Sequence, residues 1–257
     1  MVRRIWIIAG NTLLDVARHK MLSIHLIFVL IALGLFNLFS HFSVTPELEY
    51  RMIQDVGISV IAVCGLMMTL FIGVATLREE LNRRTAYAAL TLPMARWEFY
   101  LGKFLGTLGA TVVNIVIMVI IFATLLYAKF GLVWHTFFWV VLFMSMEFAI
   151  VSSLVLLFSL SDSTVLAFSF TFFMVVMGNL VDYVKHLVEE AAIPLLSWLT
   201  WAAYLIIPNF GYFNIKARIL KSFSLPPELV GWAVTYCLLY VAFSLVCGIL
   251  LMNRRDL

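Results

Sequence analysis

Long uninterrupted runs of apolar residues dominate this chain, and short polar stretches separate them. Six runs reach the length of about 20 residues that a transmembrane helix needs. They are Met21–Ser40, Val56–Leu77, Phe99–Tyr127, Trp134–Leu160, Thr164–Val181 and Leu229–Asn253. The runs are continuous and do not alternate with a period of two, and backbone polar groups in lipid must pair within their own element. The pattern therefore predicts an all-α polytopic membrane protein with six transmembrane helices in one domain, residues 1–257.

The first 20 residues carry an amphipathic helical pattern. Their apolar side chains recur at helical spacing, at Val2, Ile5, Trp6, Ala9, Leu13 and Val16. Charged residues at Asp15, Arg18 and Lys20 interrupt the pattern, which argues against a cleavable signal peptide. We therefore predict that residues 1–20 form a helix lying in the membrane interface.

Composition and charge placement define the class and the orientation. Hydrophobic residues make up 64% of the chain and charged residues 12%, about half the share of a soluble domain. This excludes an ordinary soluble enzyme, a disordered chain and a nucleic-acid binder. Four basic residues precede the first run, five lie between the second and third runs or just inside the third, and two follow the last. Positive charge favours the cytoplasmic side, so both termini are predicted to be cytoplasmic.

Residues 182–228 are predicted to be an extracytoplasmic segment. Within it, Ala191–Pro208 is apolar enough to be considered as a seventh span. Pro194 interrupts this run, and a spanning helix would place Trp198 and Trp201 near mid-bilayer, although Trp favours the interfaces. We therefore expect a re-entrant or interfacial segment before the last helix, with a seventh span as the alternative.

The second and third spans are joined by a charge-rich connection at residues 78–98. Its sequence, REELNRRTAYAALTLPMARWE, holds good helix formers at Ala86–Leu92, and Pro93 ends that short helix. A short helix held between two spanning helices is suited to transmit a push from a soluble partner into the membrane. The alternative is a loop that is merely positive on the inner side.

This connection resembles that of ABC-2 type exporter permeases. The family shows acidic residues, a basic-Thr step, a short helix, a Leu-x-x-Pro-x-x-Arg motif and a Gly-Lys pair. The corresponding residues here are Glu79, Glu80, Arg84, Thr85, Leu90, Pro93, Arg96, Gly102 and Lys103. The resemblance extends to the amphipathic N-terminus and the basic tail. The outer sequence PNFGYFN, residues 208–214, is similar to permeases grouped with copper-enzyme maturation systems.

The resemblance implies the membrane subunit of a transporter, with no catalytic residues of its own, because the family's ATPase is a separate chain.

ATP and Mg²⁺ are expected on that partner, since this chain has no GxxxxGK[ST] phosphate loop. The implied assembly holds two ATPase subunits and a second permease copy, in a homodimer or with a similar permease, in the cytoplasmic membrane of a bacterium or archaeon. Membrane lipids are the other expected partners, and no nucleic acid, metal or cofactor is expected on this chain.

The resemblance also assigns an ATPase-coupling role to one set of residues. The set comprises Glu79, Glu80, Arg83, Arg84, Thr85, Leu90, Pro93, Arg96 and Lys103. We expect these residues to make or brace the contact with the ATPase, and we expect the transporter to be an exporter.

Glu147 is the one acidic residue deep inside a predicted span. A carboxylate at the bilayer centre costs roughly 2.5–3.5 kcal/mol on insertion scales, so such a residue calls for a role. It either lines the substrate path or braces neighbouring helices.

Two other functions compete with a permease. Glu79-Glu80-x-x-x-Arg84 fits the EExxxR motif of CPBP-like intramembrane proteases, which pair the glutamates with downstream His residues. The nearest downstream histidine, His135, is predicted to lie at the opposite membrane face, and Phe130-x4-His135 misses the expected FxxxH spacing by one residue. The third hypothesis is a non-transporting scaffold that recruits a partner through the same connection.

Overall fold

The computed structural model describes residues 2–18, 27–34, 45–82, 95–131, 135–161, 163–191, 207–214 and 227–254. Six long helices fall in these ranges: α1 (Val2–Arg18), α2 (Pro46–Asn82), α3 (Arg96–Phe130), α4 (His135–Ser159), α5 (Thr164–Ala191) and α6 (Pro227–Arg254). A 3-10 helix at Phe210–Phe213 precedes α6, and residues 27–34 are also helical. In the described part of the chain, every regular element is therefore helical.

Five of the six predicted spans are confirmed as helices long and apolar enough to cross a membrane, namely α2 to α6. Of the first predicted span, Met21–Ser40, only residues 27–34 are described, and they are helical. The observed helices are longer than the apolar runs. The 35 residues of α3 extend about 52 Å at 1.5 Å per residue, against a hydrocarbon core of about 30 Å. Its charged ends are therefore able to project beyond that core.

The helix α4 lies at the centre of the bundle and contacts α2, α3, α5 and α6. Its side chains are apolar nearly all round, as expected of a helix buried among others. Close approaches at glycines define the directions of its neighbours. Gly57 of α2 faces Phe122, and Gly65 faces both Ile115 and Phe148. Later residues of α2 therefore contact earlier residues of α3, so the two helices are antiparallel.

The two ends of the bundle are distinct, and we name them after residues of α3. At the Arg96 end, α3 begins; at the Lys129 end, Lys129 forms an ion pair with Glu49 near the start of α2. The start of α1 and the end of α6 both lie at the Arg96 end, because Arg4 approaches Glu98 and Arg96 hydrogen-bonds Asn253. The two ends of the described chain therefore share one end of the bundle.

The helix α5 continues past the limit that the sequence predicted. The fifth span was expected to end at Val181, but one helix runs on to Ala191. Val181 and Val188 are buried in this extension, whereas Asp182 and Lys185 are exposed. The polar residues sit on one face of a helix that keeps its apolar face packed, so their charge does not end it.

Candidate functional site

The start of α3 is a locally stabilised helix end. Ala95 has extended backbone (φ −74°, ψ 141°), and its N–H donates to the Glu98 carboxylate at 3.3 Å. The Glu98 N–H donates in turn to the Ala95 carbonyl at 3.0 Å. An acidic side chain in the first turn also complements the positive end of the helix dipole. The connection that the sequence singles out is therefore followed directly by a firm helix start.

Arg96 joins this helix start to the last turn of α6. Its guanidinium donates to the Met252 carbonyl at 3.0 Å and to the Asn253 carbonyl at 3.3 Å. The last carbonyls of a helix have no partner within the helix, and a cation there also complements the dipole. Arg96, which the sequence assigned to the ATPase contact, is thus placed as a brace between α3 and α6; we call this contact the Arg96 clasp.

Two further charged side chains of the first turns of α3 are buried. Glu98 is 2% exposed and lies 4.0 Å from the Arg4 guanidinium of α1. Lys103, also in the predicted coupling set, is 4% exposed and its ammonium lies 5.7 Å from the centre of the Phe99 ring. Charges this deeply buried need partners. The start of α3 is therefore a packed region with its own contacts and not a solvent-exposed end of a loop.

The N-terminal helix α1 packs closely along the first part of α3. A methyl group added to Gly102 would meet Ile8 Cβ at 2.8 Å, and one added to Gly106 would meet Thr12 Cβ at 2.5 Å and the Ala9 carbonyl at 2.9 Å. The Gly-x3-Gly spacing puts both glycines on one face, which allows close backbone approach. We call this contact the α1–α3 seam.

The seam uses most of the face of α1 that periodicity predicted: the Ile5 carbonyl faces Gly102, Ala9 faces Gly106 and Leu13 faces Gly109. The predicted helix is present, and Ala9 of the predicted stripe is buried, but Trp6 is 66% exposed. Thr12, counted in neither face by the sequence, is 1% exposed. Lying in the membrane interface stays a prediction for this helix.

The other predicted coupling residues lie at the end of α2 or outside the residues that the structure describes. Glu79 and Glu80 lie in the last turn of α2, and their side chains are outside the described set. Five more of the predicted residues lie outside the described ranges altogether: Arg83, Arg84, Thr85, Leu90 and Pro93.

Glu147 is partly buried and lines an open cavity of about 190 Å³. The cavity lies between α2, α4, α5 and the 3-10 helix, and Asn179 and Asn214 also line it. The structure thus brings Glu147 together with two amide side chains from distant parts of the chain.

Residues 208–214, which we call the PNFGYFN segment, form one wall of this cavity and link α5 to α6. The Asn209 amide donates to the Asp182 carboxylate of α5 at 2.6 Å, and the Asn209 N–H donates to the Tyr236 hydroxyl of α6 at 2.8 Å. Asn209 also caps the 3-10 helix, since its side-chain oxygen accepts from the Gly211 N–H at 2.7 Å. Asn209 is 3% exposed, whereas its partner Asp182 lies at the exposed surface, so these bonds connect a buried amide to the edge of the bundle.

The protease hypothesis requires the glutamates and a histidine to meet, and the backbone separates them. His135 opens α4 close to Phe137, whose ring contacts Phe122, at the level of Gly57 in α2. Glu79 lies 22 residues further along α2, or about 33 Å at 1.5 Å per residue. The EExxxR motif and His135 are therefore brought to opposite parts of the bundle.

Comparison with known proteins identifies the family. No individual curated protein matches the chain significantly. The sequence model of the family described as ABC-2 family transporter protein matches residues 8–257, which includes most of α1, the Arg96 clasp, Glu147 and the PNFGYFN segment. A match over nearly the whole chain, together with five membrane-length helices, establishes an integral membrane protein. The chain belongs to the ABC-2 family of transporters, as a membrane permease subunit whose family works with an ABC ATPase.

Proposed function

We propose that this permease couples to its ATPase through residues 78–103 at the Arg96 end of the bundle. The observation that carries the proposal is the construction of the α3 start. Near the end of the connection, Arg96 hydrogen-bonds the end of α6, and shortly after it Gly102 and Gly106 contact α1. A force applied by an ATPase to the connection would therefore reach three helices at once.

The Arg96 end is the cytoplasmic end in this proposal. The start of α1 and the end of α6 both lie there, and the basic residues at these ends and in the connection favour the cytoplasmic side. Because α2 begins at the opposite end, next to Lys129, a span between α1 and α2 accounts for the change of side. This supports six spans, with Met21–Ser40 as the first.

The segment before α6 fits a re-entrant position better than a seventh span. The helix α5 runs towards the Lys129 end, and α6 runs back from it to the Arg96 end. Between them, Asn209 lies beside Asp182 and Tyr236, each about two and a half turns inside its own helix. We propose that the segment dips into the bundle from the outer side. There it caps the substrate path between two permease copies in an exporter, with ATP and Mg²⁺ on the two ATPase subunits. Kinship with the copper-enzyme maturation branch stays a prediction.

Reversing charge in the connection tests the coupling. We expect the double substitution Arg83→Glu and Arg84→Glu to abolish co-purification of the ATPase, or to leave its hydrolysis unresponsive to the permease. The measurement is pull-down from membranes together with the ATP hydrolysis rate. The matched control is Arg3→Glu with Arg254→Glu, because both side chains are exposed at the same end and the charge change is equal. Normal binding and normal coupling in the first variant, or equal losses in both, would refute docking at the connection.

Weakening the Arg96 clasp is expected to stop the ATPase from affecting the end of α6, while the ATPase still binds the permease. We expect Arg96→Gln to weaken two charge-assisted hydrogen bonds to the end of α6, each worth about 1.5–3 kcal/mol. The ATPase should still co-purify, but ATP should no longer change the protection of the α6 end in hydrogen exchange. Arg254→Gln is the control, since Arg254 is exposed in the same turn. An unchanged ATP response in Arg96→Gln would show that the clasp plays no part.

A further inference from the structure

The buried face of α6 is lined mostly by small side chains. In this helix, which the structure describes from end to end, the buried residues are Ala233, Cys237, Ser244, Gly248 and Met252. Their spacing places them on one stripe, which faces both α4 and α3. The Cys237 thiol donates to the Met146 carbonyl of α4 at 3.4 Å, and Gly248 meets Tyr100 of α3. Few large side chains therefore interlock α6 with its neighbours and fix its position along them.

The hydroxyl group of Tyr100 has no hydrogen-bond partner in the part of the chain that the structure describes. Tyr100 is fully buried, and its hydroxyl oxygen lies against α6, where a methyl group at Gly248 would collide with it. A buried tyrosine hydroxyl usually finds a partner, because an unpaired one carries the full cost of its lost hydration. Since the ring holds this hydroxyl away from the carbonyls of α3, its partner is expected on another helix.

Ser244 carries a second unpaired hydroxyl on the same stripe of α6. It lies one turn before Gly248, it is buried, and its hydroxyl has no partner among the described residues. Side chains four residues apart on a helix have Cβ atoms about 5–6 Å apart. Because the Tyr100 hydroxyl lies against Gly248, it is separated from the Ser244 hydroxyl by roughly one helical turn. Two hydroxyls that each need a partner therefore face the same contact, just out of reach of each other.

The separation between the two hydroxyls has a direction. The helix α6 runs towards the Arg96 end, so Ser244 lies further from that end than Gly248. A movement of α6 by half a turn, about 3 Å, towards the Arg96 end would bring Ser244 to the Tyr100 hydroxyl. The same movement would carry the Met252 and Asn253 carbonyls past Arg96 and break the clasp. The carbonyls that replace them come from earlier in α6 and already accept hydrogen bonds within the helix.

We propose that α6 has two positions along α3, one held by the Arg96 clasp and the other by a hydrogen bond between the Tyr100 and Ser244 hydroxyls. The clasped position is the one described above, and the shifted position lies about 3 Å further towards the Arg96 end. Small sliding of packed helices is an established form of conformational change, and the small side chains on the buried stripe of α6 permit it. The proposal concerns this chain alone and does not depend on docking of the ATPase.

Distances between two spin labels measure the position of α6. Nitroxide labels on non-natural residues at Tyr127 of α3 and Leu251 of α6 leave the native cysteines unlabelled, and both sites are exposed. These sites lie at opposite ends of the bundle, so a shift of α6 along α3 changes their separation almost in full. In the full chain in lipid nanodiscs, without ATPase or ATP, we expect Arg96→Gln to lengthen the main distance by about 3 Å.

Second substitutions distinguish the shifted position from a general loss of order. Adding Tyr100→Phe or Ser244→Ala to Arg96→Gln should return the distance to the wild-type value, because each removes one hydroxyl and keeps the rest of the contact. Adding Ser159→Ala should leave the lengthening unchanged, since the buried Ser159 hydroxyl already donates to the Val155 carbonyl at 2.6 Å.

Three results would overturn the proposal. The first is a wild-type distance in Arg96→Gln, and the second is a lengthening that survives the loss of either hydroxyl. The second result would mean that the hydroxyls bond elsewhere, for example Ser244 to a carbonyl of its own helix. The third is a lengthening that Ser159→Ala abolishes as well. None of these results bears on docking of the ATPase at the connection, so the two proposals fail independently.

Discussion

Replacing Gly178 with alanine is expected to detach the PNFGYFN segment from α5. The added methyl group would collide with the Pro208 carbonyl oxygen and would lie 2.7 Å from the nearest atom of the Phe210 ring. A backbone carbonyl is unable to swing aside as a side-chain tip does, so the segment must move. Overpacking of this kind costs about 1–3 kcal/mol, and the upper part of that range is expected here. The change should lower the apparent melting temperature by about 5–10 °C.

Hydrogen exchange gives the local measurement for this variant. The N–H groups of Asn209 and Gly211, which donate to Tyr236 and to the Asn209 side chain, should lose protection in Gly178→Ala. Gly231→Ala is the matched control, because a methyl group at Gly231 in α6 meets nothing within 4 Å. If hydrogen exchange of the backbone N–H groups in the PNFGYFN segment is the same in both variants, the position of this segment does not depend on its close contact with Gly178.

The second large effect is expected at the α1–α3 seam. In Gly106→Ala the new methyl group would lie 2.5 Å from Thr12 Cβ and 2.9 Å from the Ala9 carbonyl oxygen. Alanine gains about 1 kcal/mol in helix propensity, but the displacement of α1 should outweigh this gain. We expect a net loss of about 2 kcal/mol, seen as a lower melting temperature and faster hydrogen exchange throughout α1.

Gly109 provides the control for this experiment, one turn further along the same helix. A methyl group there would lie 3.7 Å from Leu13 Cδ1, which is an ordinary contact distance. Gly109→Ala should therefore keep the gain in helix propensity and leave stability equal or slightly higher. Equal stability loss in both alanine variants would mean that the glycines matter through the helix itself and not through contact with α1.

The sequence predicts the helices well because length and hydropathy alone decide which segments suit a bilayer. Five predicted spans appear as helices, although their ends differ by several residues. At the end of α5, for example, Asp182 and Lys185 looked like the edge of the membrane, yet the helix continues because its apolar face stays packed. Helix ends depend on contacts with other segments, which hydropathy does not record.

The site is harder to predict because it depends on how each helix is rotated. The sequence picks out Glu147, since a lone carboxylate in a span is rare. It gives no sign that Asn179 and Asn214 line the same cavity, because that depends on how α5 is rotated and on where residues 208–214 fold, and hydropathy records neither. Likewise Arg96 stands out by its charge, but its bond to Met252, 156 residues later, depends on tertiary packing.

The Arg96 clasp has a consequence for biosynthesis. Its acceptors, the Met252 and Asn253 carbonyls, follow Arg96 by 156 and 157 residues along the chain. The helix start at Arg96 is therefore made long before its partner and lacks these bonds until α6 has been synthesised. Translation products that stop before Met252 are unable to form the contact that joins α3 to α6.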